Sequence, residues 1–277
     1  MSATRATQAS LQRLFELNRS VPSAARYREI EAIEAVWLEP ILAQQEALTP
    51  QLSSAPEIAP LIEESIADGD SDGRSSADFL ANDATREQFR AVVADYAVDG
   101  LTEAQNFFAA IPRLPIRAQM AVMRVLIDEF GCGNLQRAHS ELYMDLLREL
   151  DLPTDLASHL PDVSAETLAF VNCFYWLASR APDVEYFLGA LAYLEAYIPT
   201  GFSCFDVACR RLGIKHSLYY SEHIHIDEFH KQELQIAIRE YDRAEGCDYA
   251  KLWVGMTLLR RLLGDSFDAA IDRARAL

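Results

Sequence analysis

The chain has 277 residues, half of them apolar, and a formal net charge of −17. That length suits one large domain or a domain with an appendage, and the acidity argues against nucleic-acid binding, which calls for a basic patch. No apolar run reaches the length of about 18 that a membrane span needs.

The opening MSATRATQASLQRL has neither the charged start nor the apolar run of a secretory leader. Five cysteines (Cys132, Cys173, Cys204, Cys209 and Cys247) with no CxxC pair fit free thiols in a cytoplasmic protein.

Apolar residues recur at the helical period and no segment alternates as a strand does, so the expected class is all-α. In chain order, helices are predicted near 7–17, 24–47, 85–98, 101–111, 115–130, 134–150, 165–180, 183–197, 202–212, 218–244, 247–263 and 265–275. Between 49 and 76 the composition shifts to TPQLSSAPEIAP and then ADGDSDGRSS. It reads as a mobile acidic connection, separating an N-terminal helical extension and linker (1–75) from the main bundle (76–277). Asp68, Asp70 and Asp72 before Gly73 imitate the start of a calcium loop. The twelfth position is Phe79 where a bidentate Glu is needed, so a solvated acidic loop is the preferred reading.

The stretch Ser221–His230, SEHIHIDEFH, holds three of the six histidines in the chain. At ~100° per residue, His223, Asp227 and His230 share one helix face, giving the pattern H-x3-D-x2-H. His225 lies about 200° from His223 and is read as packed or as orienting another ring. A polar face of ordinary histidines is the plain alternative. The mixed nitrogen and oxygen donors suit iron, manganese or zinc, and the lack of a nearby cysteine disfavours structural zinc.

Further donors lie on other predicted helices. Glu129 ends an apolar stretch in MRVLIDEFGCGN. His139 shares a stripe with Leu135, Gln136, Leu142 and Tyr143, and Glu103 shares a face with Phe107. A carboxylate facing a core is costly unless paired or metal-bound, although each acid taken singly is more often a helix N-terminal or surface charge. Glu195, on the apolar helix LGALAYLEAYIPTGF, is either a further donor, a substrate contact, or a buried acid bonded to a Tyr or Arg.

With these residues the chain resembles the haem-oxygenase-like diiron oxidases and oxygenases, a family of iron-containing redox enzymes, over about residues 85 to 260. Glu103 looks like the family's first-helix ligand, Glu129 and His139 like its second-helix pair, and His223, Asp227 and His230 like its third-helix motif. The resemblance implies a haem-oxygenase-like helical bundle with two Fe(II) ions and dioxygen as co-substrate. It also implies a small-molecule substrate, expected to be an amino acid or amine, in specialised metabolism. An external electron donor and a homodimer stay open, and neither nucleic acid nor membrane is an expected partner. A fatty-acid oxidative decarboxylase of the same fold and a non-catalytic helical interaction protein are the competing readings. A ferritin-like store would repeat E-x2-H on two helices, and that pattern is missing.

One geometric condition accompanies this reading. Ten residues of ideal helix would place Glu129 and His139 ~15 Å and ~80° apart. They can reach one centre only if the chain bends at GCGN, residues 131 to 134, where glycine permits it.

Overall fold

The computed structural model describes residues 7–49 and 58–277, with the backbone alone over 68–75. The α-helices are α1 (Gln8–Asn18), α2 (Ala24–Ala47), α3 (Ile58–Asp78), α4 (Arg86–Asp95), α5 (Ala97–Gly100), α6 (Ile116–Glu129) and α7 (His139–Glu149). They continue with α8 (Leu156–His159), α9 (Ala165–Ser179), α10 (Glu185–Gly201), α11 (Ser203–Leu212), α12 (Leu218–Glu245) and α13 (Tyr249–Arg275). No strand occurs among the described residues, and the fold is all-α.

Helices α9 and α10 are apolar on nearly every side, which is the pattern of a helix surrounded by protein. Their Leu168, Phe170, Leu177, Phe187, Leu188 and Leu191 are buried. Helix α13 lies against α10 with backbone nearly touching backbone. A Cβ on Gly189 would sit 1.9 Å from the Leu252 carbonyl oxygen, and one on Gly255 would sit 2.0 Å from that of Tyr186. Only glycine fits at this reciprocal crossing. Helix α12 packs on the other flank of α10 and against α6. Helices α1 and α2 bury Leu14, Phe15 and Leu38 in the same core as α9 and α10, and Glu34 of α2 pairs with Arg180 at 2.6 Å.

Four stretches differ from the sequence expectation. The connection expected over 49–76 is helical from Ile58 onward. Ile58 and Ile62 are buried at its start, and near its end Ser76 Oγ donates to Asp268 at 2.7 Å. Tertiary contacts thus override a composition with poor helix propensity. The side chains of Asp68, Asp70 and Asp72, and with them the calcium-loop resemblance, lie outside what is described. The helix expected over 101–111 is a series of turns followed by a 3₁₀ helix, Phe107–Arg113. The one expected over 134–150 begins only at His139, so Leu135 and Gln136 are not on its stripe and Leu135 is exposed. The two expected over 247–263 and 265–275 are one helix, α13. A helical glycine costs only about 1 kcal/mol, and burial of Leu262, Ser266 and Ala270 on either side of Gly264 outweighs it.

The five cysteines are free, three of them buried. No helix among the described residues is long and apolar enough to cross a membrane.

Candidate metal centre

Four parts of the chain bring donors to one buried point. Glu103 comes from the turns after α5, and the next residue, Ala104, takes a left-handed φ of 59°, a conformation costly for a residue with a Cβ. Glu129 is the last residue of α6 and His139 the first of α7. Between them Gly131, Cys132 and Gly133 all have positive φ, and the chain reverses. A Cβ on Gly131 would lie 2.5 Å from the Arg137 carbonyl carbon, so glycine is required there. The bend falls within GCGN. Helix α12 supplies His223, Asp227 and His230 from one face, all buried.

The two oxygens of Glu129 face two different donor groups. Its Oε2 lies 2.8 Å from His139 Nδ1 and 3.9 Å from His223 Nε2, and Glu103 Oε1 is 3.0 Å from that same His223 nitrogen. Its Oε1 lies 3.6 Å from His230 Nδ1, which is also 3.0 Å from Asp227 Oδ1. Within each group, Glu103–Glu129–His139–His223 and Glu129–Asp227–His230, the donor atoms lie within 4.8 Å of one another. Glu195, buried on α10, approaches His230 Nδ1 at 3.0 Å.

Several of these atoms have no hydrogen-bond partner although they are buried: Glu103 Oε2, His139 Nδ1, both Asp227 oxygens and His230 Nε2. His223 Nε2 with Glu103 Oε1 and His230 Nδ1 with Glu195 Oε2 do meet hydrogen-bond geometry, each at 3.0 Å, but the orphaned atoms approach their neighbours without it, as donors turned toward a shared cation would. Burying so many polar atoms unpaired is otherwise expensive. The donor set and its orphaned atoms fit iron.

Outer contacts fix the rings. His223 Nδ1–H donates to the Tyr219 carbonyl at 2.7 Å, which leaves Nε2 turned to the donors. The Tyr219 hydroxyl donates to Glu103 Oε1 at 3.1 Å. His230 Nε2 faces Asp128 Oδ2 at 3.5 Å. Tyr219 therefore holds the His223 ring in place. Glu222 instead pairs with Arg137 at 3.0 Å. His225 is exposed, its ring 6.1 Å from that of Phe229, so it is neither packed in the core nor orienting a ligand. Asp128 was missed by the sequence reading, its only signal being its place beside Glu129.

Electrostatics reflect the crowding. Burial, with the Glu195 charge adding and His223 and His230 opposing, pushes Glu129 up to about 7. Burial and then Glu195 likewise push Asp227 up to about 7. Burial would lower His230, but Glu195, Asp227 and Glu129 outweigh it and raise the ring to about 11. His139 is lowered to about 3 by burial and by the neighbouring His223, so it is a neutral imidazole with a free lone pair.

A cavity of about 80 Å³ opens beside Glu103, Glu129, Glu195 and His223. Its walls are largely aromatic and include Phe107, Tyr143 and Phe170. Phe108, Tyr193 and Phe229 do not line it, and Phe108 and Phe229 are exposed.

An all-α bundle enclosing histidines and carboxylates around a pocket is the arrangement of a candidate metal centre. The chain belongs to the family of iron-containing redox enzymes, matched over residues 90–261, and is an oxidoreductase. Over 140 residues it is 28% identical to the nitrosourea synthase of Streptomyces achromogenes subsp. streptozoticus. That match spans 50% of this chain and 30% of that enzyme.

Proposed function

We propose that this protein is a non-haem diiron oxidase or oxygenase that uses dioxygen to oxidise a small organic nitrogen compound in specialised metabolism. The observation that carries the reading is Glu129, whose two oxygens face two separate donor groups. Glu129 would therefore contribute to both iron sites. Glu103, His139 and His223 would complete one iron site, and Asp227 and His230, with Glu195 as a further donor, the other. The similarity to a nitrosourea synthase supports nitrogen oxidation.

Bound iron would supply the electrons that reduce dioxygen and the oxidising power passed to the substrate. The protein's part follows from its geometry. The Tyr219 carbonyl holds the His223 proton on Nδ1, so Nε2 is available at the centre. The Tyr219 hydroxyl steadies Glu103 against rotation. Asp128 Oδ2 lies 3.5 Å from His230 Nε2, with no hydrogen bond between them, and Glu195 Oε2 bonds His230 Nδ1 at 3.0 Å. The aromatic walls keep bulk water from the cavity and place an organic molecule beside Glu103 and Glu195. A purely structural interaction protein would leave the orphaned donors without a purpose.

Anaerobic Fe(II) titration followed by mixing with dioxygen tests the proposal. Binding should saturate near two irons per chain, and the reduced centre should consume dioxygen. Asp227→Ala should lose one iron and the oxygen consumption while keeping its helix content. Iron accumulating far beyond two per chain, or unchanged oxygen consumption in the variant, would sink it.

A further inference from the structure

The cavity contains an acid that the donor groups leave aside. Asp99 sits in α5, four residues before Glu103, half-buried on the cavity wall. Its carboxylate makes no hydrogen bond or ion pair among the described residues. Neighbouring hydroxyls on the same wall are committed elsewhere: Tyr96 bonds Ser266 at 2.9 Å, and Tyr143 donates to the Val93 carbonyl at 2.7 Å. A second unmatched acceptor lines the same cavity. Asn106 is buried, and its Oδ1 has no partner.

Among the described residues lining this cavity there is no lysine or arginine. Among the described lining residues only His223 can carry a positive charge, and it is already paired with Glu103, so a ligand carboxylate would chiefly face Asp99, Glu103, Glu129 and Glu195. A protonated nitrogen meets the opposite situation, with an unpaired carboxylate, an unpaired amide oxygen and aromatic faces that attract cations. Phe170, Phe174 and Phe267 supply apolar surface to the same wall.

We infer that the substrate is an apolar organic cation bearing N–H groups, an amine or amidine type, whose charged nitrogen is held by Asp99 with Asn106 while its carbon skeleton lies against the phenylalanines. This rests on the oxidase reading and narrows it, favouring an amine over an amino acid or a fatty acid. Burial first, then the Glu103 charge, with Glu129 adding and His223 opposing, pushes the Asp99 carboxyl up to about 8. A cation beside it would relieve that strain, as a buried charge is tolerated when paired.

The test is calorimetric binding to the iron-loaded protein without oxygen, so that nothing depends on turnover. The probes are butylamine, hexylamine, octylamine and 2-phenylethylamine, each with the alcohol and the carboxylate of matched skeleton. At least one amine should bind roughly ten- to a hundredfold tighter than its matched alcohol and carboxylate, the range of a charged hydrogen bond. Asp99→Asn should abolish that preference while leaving alcohol binding and iron content unchanged. Preference for carboxylates, no discrimination, no binding by any amine, or loss of alcohol binding in Asp99→Asn would each overturn the inference. Iron content on the same samples keeps the two readings apart. Amine preference in a protein that binds no iron would refute the oxidase and leave the cation pocket standing.

Discussion

Glu129 Oε2 and His139 Nδ1 lie 2.8 Å apart, although ten positions of chain separate them. The contact exists because α6 stops at Glu129 and α7 starts at His139, with the reversal between them built on positive-φ residues.

That reversal can be broken selectively. Gly131→Ala puts a methyl group 2.5 Å from the Arg137 backbone at φ +60°, whereas Gly133→Ala, at φ +81°, meets nothing within 4 Å. Both carry the left-handed penalty of about 1–2 kcal/mol, but only Gly131→Ala must also displace His139. Iron titration should show Gly131→Ala losing at least one iron and Gly133→Ala retaining wild-type stoichiometry. Equal stoichiometry in the two variants would separate the bend from the centre.

The two histidines flanking Ile224 should behave as opposites. His223 is buried among donors, and His225 is on the exposed side of α12. His223→Ala is expected to lose one iron per chain. His225→Ala should keep both, with unfolding free energy within about 0.5 kcal/mol of wild type, as for most surface changes. Metal analysis and urea unfolding check both.

Stability of chelator-treated protein should fall as pH rises. Glu129 and Asp227 move from ordinary values of 4.5 and 3.8 to about 7, and Asp99 from 3.8 to about 8. Between about 4.5 and about 7 the folded chain therefore holds protons that the unfolded chain has lost, which makes the slope of stability against pH negative. His230, raised from 6.5 to about 11, extends the trend to higher pH. His139, lowered to about 3, opposes it below 6.5 but is a single group against three carboxyls. Iron competes with those protons, so its affinity should rise over the same window. Melting curves against pH, with and without iron, measure both. A chelated protein that gains stability between pH 5 and pH 7 (a window of about two units around the carboxyl shifts) would contradict the assignment.

Helix α13 offers a test of the scaffold. Gly255→Ala would drive a methyl group into the Tyr186 carbonyl of α10, while Gly264 on the same helix has open space. The first should cost about 1–3 kcal/mol or more, as overpacking does. The second should stabilise by up to about 1 kcal/mol through helix propensity. Denaturant unfolding of the two variants decides it.

The α12 donors were legible because helical periodicity converts spacing into direction, so His223, Asp227 and His230 could be placed on one face from three positions alone. The glycines of GCGN showed where α6 and α7 had to part, but not that Glu129 and His139 would meet. Glu103 was picked out as a candidate although its segment, LTEAQNFFAA, reads as helix and is not one. Its turn depends on neighbours that no local pattern records. The same holds for Asp99, Asn106 and Asp128, whose significance lies in what faces them across the bundle. The segment from Ile58 to Asp78 misled in the other direction, because its polar composition conceals anchors at both ends.

The donors gathered at the centre span the chain from Glu103 to His230. Under the proposed assignment, ions held jointly by them act as tethers across long loops, and a ligand bound only by the folded state raises its stability by mass action. Iron supply would then govern how long the protein survives as well as how fast it works. A cell short of iron would lose the enzyme itself to unfolding and proteolysis, so its abundance would follow metal availability without any change in transcription.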